Sequence, residues 1–343
     1  MRLSVLDQST VVSGRTPDDA IRETLALARH CEALGYGRYW LAEHHSSRSQ
    51  AGTAPEVLAA AIAATTRRIR VGSAGVMLPH YSSLKVAEQF RVLEAIAPGR
   101  IDLGLGRAPG GDGRTAFALN PNAAEAADRF PAQVRDVLAW VSGAALPEGH
   151  PFRDVKAEPA GPTAPETWIL GSSDYGAQVA AHFGLPYCFA HFITDGQGAE
   201  RALDTYRAAY RPSAAHPAPH AALAVWAVAA ATEAEAARLL TSRALWRLGR
   251  DRGAYERLPT PEEAAAYPYT AAERARADQV MQAALAGTGP AVVARLQALA
   301  AQVGAAEVAV LTTVADKEAR RRSYALLAEA AGLQRADVAL AAE

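Results

Sequence analysis

A chain of 343 residues, half of them hydrophobic and 21% charged, has the balance of a soluble globular protein and the length of one large domain or two ordinary ones. Its formal net charge of −1 gives no field to gather nucleic acid or an acidic membrane surface, and no apolar run reaches the roughly 18 residues of a membrane-spanning helix. Two cysteines, Cys31 and Cys188, are too few for a disulfide framework and read as buried free thiols in a reducing, cytoplasmic setting.

Short apolar runs alternate with longer helical patterns along the whole chain. The N-terminus lacks a long apolar signal core and reads as a strand at 3–6. Thr16 then offers an N-cap, Pro17 the first helical position, and Asp18 and Asp19 acidic residues for the first turn. Ile21, Leu25, Ala28 and Cys31 repeat at helical spacing until Gly35 stops the helix. A strand at 39–42, a helix at 55–64 and a strand at 69–77 follow. Ser82 and Ser83 can cap a helix with Val86, Phe90 and Leu93 on one face, ended by Pro98-Gly99. A strand at 101–105 and a helix at 123–141 complete the first half. The second half predicts strand 168–170 with helix 175–183, strand 187–190 with helix 199–210, strand 222–230 with helix 232–248, and strand 307–311 with helix 317–331. Eight βα units favour a closed (β/α)8 TIM barrel over a doubly wound open sheet, because closure leaves no open strand edge.

Two segments break this rhythm and read as insertions in one barrel domain. Residues 142–167 are rich in Pro and Gly. Residues 249–289 set Arg250, Asp251 and Arg252 between two glycines, and Pro259, Pro261 and Pro268 interrupt any continuous helix. Long segments of this kind are usually functional lids or mobile loops. By connectivity, the second leaves from the N-terminal end of the barrel unless it crosses back over the mouth.

Barrel enzymes carry their sites at the C-terminal ends of the strands, which selects five clusters: Glu43-His44-His45, Gly72-Ser73-Ala74-Gly75, Gly104-Leu105-Gly106-Arg107, Gly171-Ser172-Ser173 and Ala190-His191-Phe192. Glu43-His44-His45 can be a set of metal ligands, a base active near neutral pH, or polar structure at a strand end. The first strand ends in Asp7-Gln8 without a His-x-His pair, which disfavours the metal. Gly171-Ser172-Ser173-Asp174, between a strand and a helix, suits a phosphate monoester: glycine permits close approach, the helix N-terminus offers N–H groups, and the serines add donors. Plain helix capping by Ser173 or Asp174 is the alternative. Arg107, followed by Ala108-Pro109-Gly110-Gly111, is a candidate counter-charge, or else a surface ion-pair residue. Gly104-Leu105-Gly106 runs into Arg107-Ala108-Pro109 and fails the dinucleotide-binding pattern. Gly287-Thr288-Gly289-Pro290 opens a helix and is a second, weaker anion candidate. Arg67-Arg68-Ile69-Arg70 reads as solvated surface on the barrel face away from the site.

Taken together, these residues resemble the luciferase-like flavin monooxygenase family. The resemblance runs through Trp40-Leu41-Ala42-Glu43-His44-His45, Val71-Gly72-Ser73-Ala74-Gly75-Val76-Met77-Leu78-Pro79, Ala87-Glu88-Gln89, the stretch from Ala97 to Arg107, and Gly171-Ser172-Ser173, in the family's order. It is strongest over 1–112, clear again at 166–190, and poorest in the two insertions.

The resemblance implies a (β/α)8 barrel that takes reduced flavin mononucleotide (FMN) as a diffusible co-substrate from a separate flavin reductase. Dioxygen is then the second co-substrate, and a flavin C4a-peroxide oxidises a small organic molecule. His44 matches the catalytic histidine beside the flavin ring, with Glu43 next to it. Ala74-Gly75 matches a non-prolyl cis peptide under the ring. Arg107, Ser172 and Ser173 match the phosphate-binding positions. Gly106 falls where luciferase has a cysteine, so no thiol chemistry is expected, and Gly176 falls where luciferase has a phosphate-contacting threonine, a loss for which Tyr175 is the candidate compensation. The second insertion matches a mobile lid, and a homodimer is expected, whereas light emission is not. Two alternatives remain: a reductase or dehydrogenase of the same fold using flavin or a deazaflavin, and a non-catalytic flavin-binding protein.

Overall fold

The computed structural model describes residues 1–107 and 112–334. In chain order the first half holds β1 (Arg2–Asp7), α1 (Pro17–Ala33), β2 (Arg38–Leu41), α2 (Pro55–Thr65), β3 (Arg70–Met77), a 3-10 turn (Leu78–His80), α3 (Ser83–Ile96), β4 (Ile101–Gly106), α4 (Gly113–Leu119), α5 (Ala123–Asp128) and α6 (Phe130–Ser142). The second half holds β5 (Glu166–Gly171), α7 (Asp174–Phe183), β6 (Tyr187–Phe189), α8 (His191–Thr194), α9 (Ala199–Ala209), β7 (Ala221–Ala230), α10 (Glu233–Asp251), α11 (Pro261–Ala266), α12 (Ala271–Ala283), β8 (Leu285–Thr288), α13 (Gly289–Gln302), β9 (Glu307–Leu311) and α14 (Lys317–Ala330). None of the described helices is long and apolar enough to cross a membrane.

Strands β1 to β7 pair in sequence order, β7 pairs β9, and β9 returns to β1, all parallel. This closes an eight-stranded (β/α)8 barrel. The short β8 stands outside the ring and pairs with the upper end of β7, Ala227–Ala230. The strands read as unbroken apolar runs because both faces are covered: every residue of β7 is buried. Outward-facing residues pack under the helices in one large cluster. Inward-facing Leu6, Trp40, Trp168, Ala222, Ala224, Ala309 and Leu311 fill the barrel, with the Trp40 and Trp168 rings edge-on at 5.0 Å. At Gly72 and Gly104 a Cβ would fall 1.9 and 2.2 Å from carbonyl oxygens of the neighbouring strand, so only glycine lets β3 and β4 lie this close.

The capping signals act as their chemistry requires. Thr16 and Asp19 form a reciprocal capping box at α1, and the Ser82 hydroxyl accepts from the Lys85 N–H at α3. Three elements differ from expectation. The helix expected at 123–141 is divided into α5 and α6, because Pro131 in the first turn of α6 has no N–H with which to continue α5. The short α4 precedes them, capped by Asp112.

The second difference concerns the helix after β7. The expected barrel helix 232–248 is instead the start of α10, which stays on the C-terminal face. Trp246 packs there against Val12, Leu258 and Ala315, which follow β1 and β9. Leu258 exchanges backbone bonds with Val11 and Ser13, at 2.9 and 2.8 Å. The helix that returns the chain to β9 is α13, and residues 233–284 never visit the N-terminal end. The amphipathic pattern of α10 is real, but its apolar face covers the barrel mouth rather than its side.

The third difference is Arg70. Together with Arg38 it enters the N-terminal end of the barrel, where the two guanidiniums meet Asp102 and Glu166, and Arg38 also meets Glu307. Although burial opposes it, the positive charge of Arg38 and Arg70 holds Glu166 down to about 2. Arg70 is therefore part of a buried charge network, while the N–H groups of Arg67, Arg68 and Ile69 converge on Glu32 Oε1 at 2.7–3.0 Å.

Candidate active site

At the C-terminal ends of the strands a deep cleft opens to solvent. The end of β2 supplies Glu43 and His44, β3 supplies Ala74 and Gly75, and β4 ends in Gly106 and Arg107. The β5–α7 turn supplies Ser172 and Ser173, and the first turn of α7 supplies Tyr175 and Gly176. All nine residues singled out as site candidates in the sequence line this one cleft.

One end of the cleft is built for an anion. Ser173 is the N-cap residue of α7, yet its hydroxyl makes no capping bond, which leaves that hydroxyl and the helix N–H groups available. The Arg107 guanidinium lies 4.2 Å from the centre of the Tyr175 ring, held over its face, and forms no ion pair among the described residues. Asp174, which would oppose an anion here, is turned to Arg201 at 2.8 Å. Gly176 lies against Tyr187: a Cβ would meet that ring at 3.3 Å, so a larger residue would displace it. The Tyr187 hydroxyl donates to the Ser173 carbonyl at 3.1 Å and fixes the turn. Ala108 to Gly111, the rest of the Arg107 loop, lie outside the described residues.

His44 stands at another side of the cleft. Its backbone N–H donates to the Gly52 carbonyl at 2.9 Å, and its Nδ1 is buried with no hydrogen-bond partner among the described residues. Burial first, then the charges of Arg250 and His45, push its pKa down to about 4. The ring is therefore uncharged at neutral pH. Glu43 is buried and already engaged: Oε1 accepts from the Tyr81 hydroxyl at 2.7 Å and from His45 Nε2 at 2.6 Å, and Oε2 from the Met77 N–H at 3.1 Å. It ties the end of β2 to the end of β3 and fixes the backbone that carries His44. No group of three metal-ligating side chains occurs among the described residues. Next to His44, the Ala74-Gly75 peptide bond is cis, and a Cβ on Gly75 would fall 2.8 Å from the Gly104 carbonyl oxygen. Bare backbone thus faces the cleft at this point.

Phe192, in the short helix after β6, belongs to the strand-end cluster Ala190-His191-Phe192 and lines the cleft; sequence reasoning missed Arg250, near the end of α10, which lines it too. Arg250 stacks 5.1 Å from the Trp246 ring centre and 5.7 Å from that of Tyr255. Nothing local in the sequence marks it, because its place depends on α10 lying across the mouth. The second anion candidate is closed: the Glu233 carboxylate accepts from the Thr288 N–H at 3.0 Å and lies 2.9 Å from where a Cβ on Gly287 would be. The anion at that helix start is the protein's own.

Comparison with known proteins agrees with this architecture. The family described as luciferase-like monooxygenase matches residues 1–307. A luciferase-like monooxygenase of Escherichia coli is 38% identical over 94% of this chain and 95% of its own length. An N-acetyl-S-alkylcysteine monooxygenase of Bacillus subtilis is 36% identical over 96% of this chain and 98% of its own. The crystal structure of apo-MsnO8 superposes with a TM-score of 0.88 at 38% identity, covering 98% of this chain and 99% of that one. At 20% and 12% identity the barrel is shared by the oxygenating constituent of a Pseudomonas putida 3,6-diketocamphane monooxygenase, solved with FMN, and by an F420-dependent secondary alcohol dehydrogenase. These last two likenesses are of fold alone. From its barrel, its cleft and its match over residues 1–307, the chain belongs to the luciferase-like monooxygenase family, and it is an oxidoreductase.

Proposed function

We propose that this enzyme uses reduced FMN and dioxygen to insert one oxygen atom into a small organic substrate. The observation that carries the reading is the pairing of an anion pole, Arg107 with the uncapped Ser173, with an uncharged imidazole and bare backbone in one cleft. Arg107, Ser172 and Ser173 would hold the phosphate, with Tyr175 keeping Arg107 in place. The cis Ala74-Gly75 peptide, free of bulky side chains, would face the flavin ring. When bound, the reduced flavin supplies the two electrons that send one oxygen atom to the substrate and the other to water. His44 accepts a hydrogen bond or a proton at Nδ1, the atom left without a partner, while Glu43 and Tyr81 position it through the β2 end. The segment from α10 to α12, already over the mouth, acts as a lid that excludes water. The flavin arrives reduced from a separate reductase, the protein works as a homodimer, and its buried thiols Cys31 and Cys188 suit the cytoplasm.

Anaerobic titration with reduced FMN and with reduced F420, followed by admission of oxygen, tests the reading. Tighter binding of FMN, with oxygen consumed by the complex, is the expected result. Preference for F420 with no oxygen uptake would make the protein a hydride-transferring enzyme of the same fold.

A further inference from the structure

Beside the main cleft lies a second, smaller pocket that opens to solvent, between β7, α8, α10 and α12. Arg243 lines it from the buried face of α10 and is only 7% exposed. Its guanidinium lies 4.0 Å from the centre of the Trp226 ring and makes no hydrogen bond or ion pair among the described residues. Apart from Arg250, its charged neighbours on α10, α12 and the turn after α8 are paired with one another. Arg247 binds Asp195 at 3.0 Å and Asp251 at 3.2 Å, and Arg276 binds Asp251 at 2.9 Å. Arg243 is the member of this group without an ion pair among the described residues, and Arg250, whose charge also bears on it, stacks on Trp246 and Tyr255 instead of pairing. His191, the remaining titratable group on the wall, is shifted toward its neutral form by burial. Trp226 Nε1, on the same wall, is also buried without an acceptor.

A buried, unpaired guanidinium is costly, and a ligand anion removes the cost. A planar donor edge with an indole covering one face matches a planar carboxylate. The cavity is also placed to serve the cleft. Phe192 lines both, and Ala224 of β7 faces the cleft two residues before Trp226 faces the cavity. We propose that Arg243 binds a carboxylate on the organic substrate, seating that head group in the side cavity so that the remainder of the molecule reaches past Phe192 into the flavin cleft. This rests on reading the cleft as the flavin site. Arg243 is then a specificity-determining residue, and substrates are carboxylic acids rather than neutral hydrocarbons or alcohols.

Hexanoate and its neutral isostere hexanamide serve as probes, titrated calorimetrically into the whole protein without flavin. Hexanoate is expected to bind and hexanamide to bind far more weakly. The variant Arg243→Met should weaken hexanoate about 10- to 100-fold, the loss of a charged hydrogen bond, and Arg243→Lys should recover part of it. FMN titration of the same proteins should be unchanged. Equal binding of the two probes by the unmodified protein overturns the proposal without recourse to any variant, as does unaltered hexanoate binding by a folded Arg243→Met. Failure of the unmodified protein to bind FMN would instead remove the flavin reading and leave the carboxylate result standing.

Discussion

His44 shows how a side chain's surroundings decide its chemistry. An imidazole in water is half protonated near pH 6.5, but here burial, Arg250 and His45 bring the midpoint to about 4. A base held uncharged can accept a proton throughout the physiological range. The His44-dependent step should therefore be flat between pH 6 and 8 and fall only toward pH 4, and His44→Ala should keep FMN binding while turnover drops roughly 10²- to 10⁴-fold. A turnover loss of only a few-fold would remove the assignment. The same depressed pKa makes a stability statement. The unfolded chain takes up this proton more readily than the folded one, so stability present above about pH 6.5 is lost as pH falls toward 4. His44→Gln, which cannot titrate, should lose less stability between pH 7 and 5 than the unmodified protein in urea unfolding. At the opposite pole, Arg107→Ala should weaken FMN by about 1.5–3 kcal/mol, with riboflavin, which lacks the phosphate, much less affected. Equal losses for both ligands would refute the phosphate assignment. These residues were legible in the sequence because they sit at strand ends, where the barrel rule points. Arg250 and Arg243 were not, because their positions depend on how a later segment folds back across the mouth.

Among the elements, the one least legible in the sequence is the excursion from α10 to α12. Local pattern shows a good helix after β7 but cannot say whether its apolar face meets the side of the barrel or its mouth; tertiary contacts of Trp246 and Leu258 decide that. Gly249, the first of the two glycines bracketing Arg250–Arg252, likewise lies inside α10. What remains loose is shorter: residues 251–257 are exposed, between the end of α10 and the buried Leu258. Arg250 is stacked between rings and Arg252 is paired with Glu273, whereas Arg257 is exposed with no ion pair among the described residues. Trypsin should therefore cut the free protein first after Arg257, and FMN with substrate should slow that cut if the segment closes over the cleft. Cleavage no faster than elsewhere, or unaffected by ligands, would make the excursion a fixed part of the barrel. The first insertion behaves otherwise: Arg91 donates to the Val141, Pro159 and Thr163 carbonyls, and Trp140 Nε1 to the Val155 carbonyl, which fasten 142–167 to α3 and α6.

For the whole molecule, the closed barrel was the most legible feature, because eight alternating apolar runs and helices admit few other arrangements. What the alternation does not show is which apolar residues the barrel uses up. Leu58, Ile62, Phe90 and Leu93 are buried against it, so they contribute nothing to a partner. On the outer side of the same two packed helices, Val57 of α2 and Val92 and Ile96 of α3 remain 63%, 48% and 47% exposed. Val92 and Ile96 stand one helical turn apart and form a short apolar ridge. Across a two-fold axis, one such ridge can cover the α2–α3 face of a second copy, because an isologous contact is self-complementary. Static light scattering should then give a mass near twice 36.1 kDa. The double variant Val92→Glu with Ile96→Glu places two like charges in each half of that contact, and it should bring the mass to that of one chain while far-ultraviolet circular dichroism is unchanged. If the unmodified protein itself scatters as a single chain, the ridge is ordinary surface. If the double variant remains paired, the dimer forms through another face.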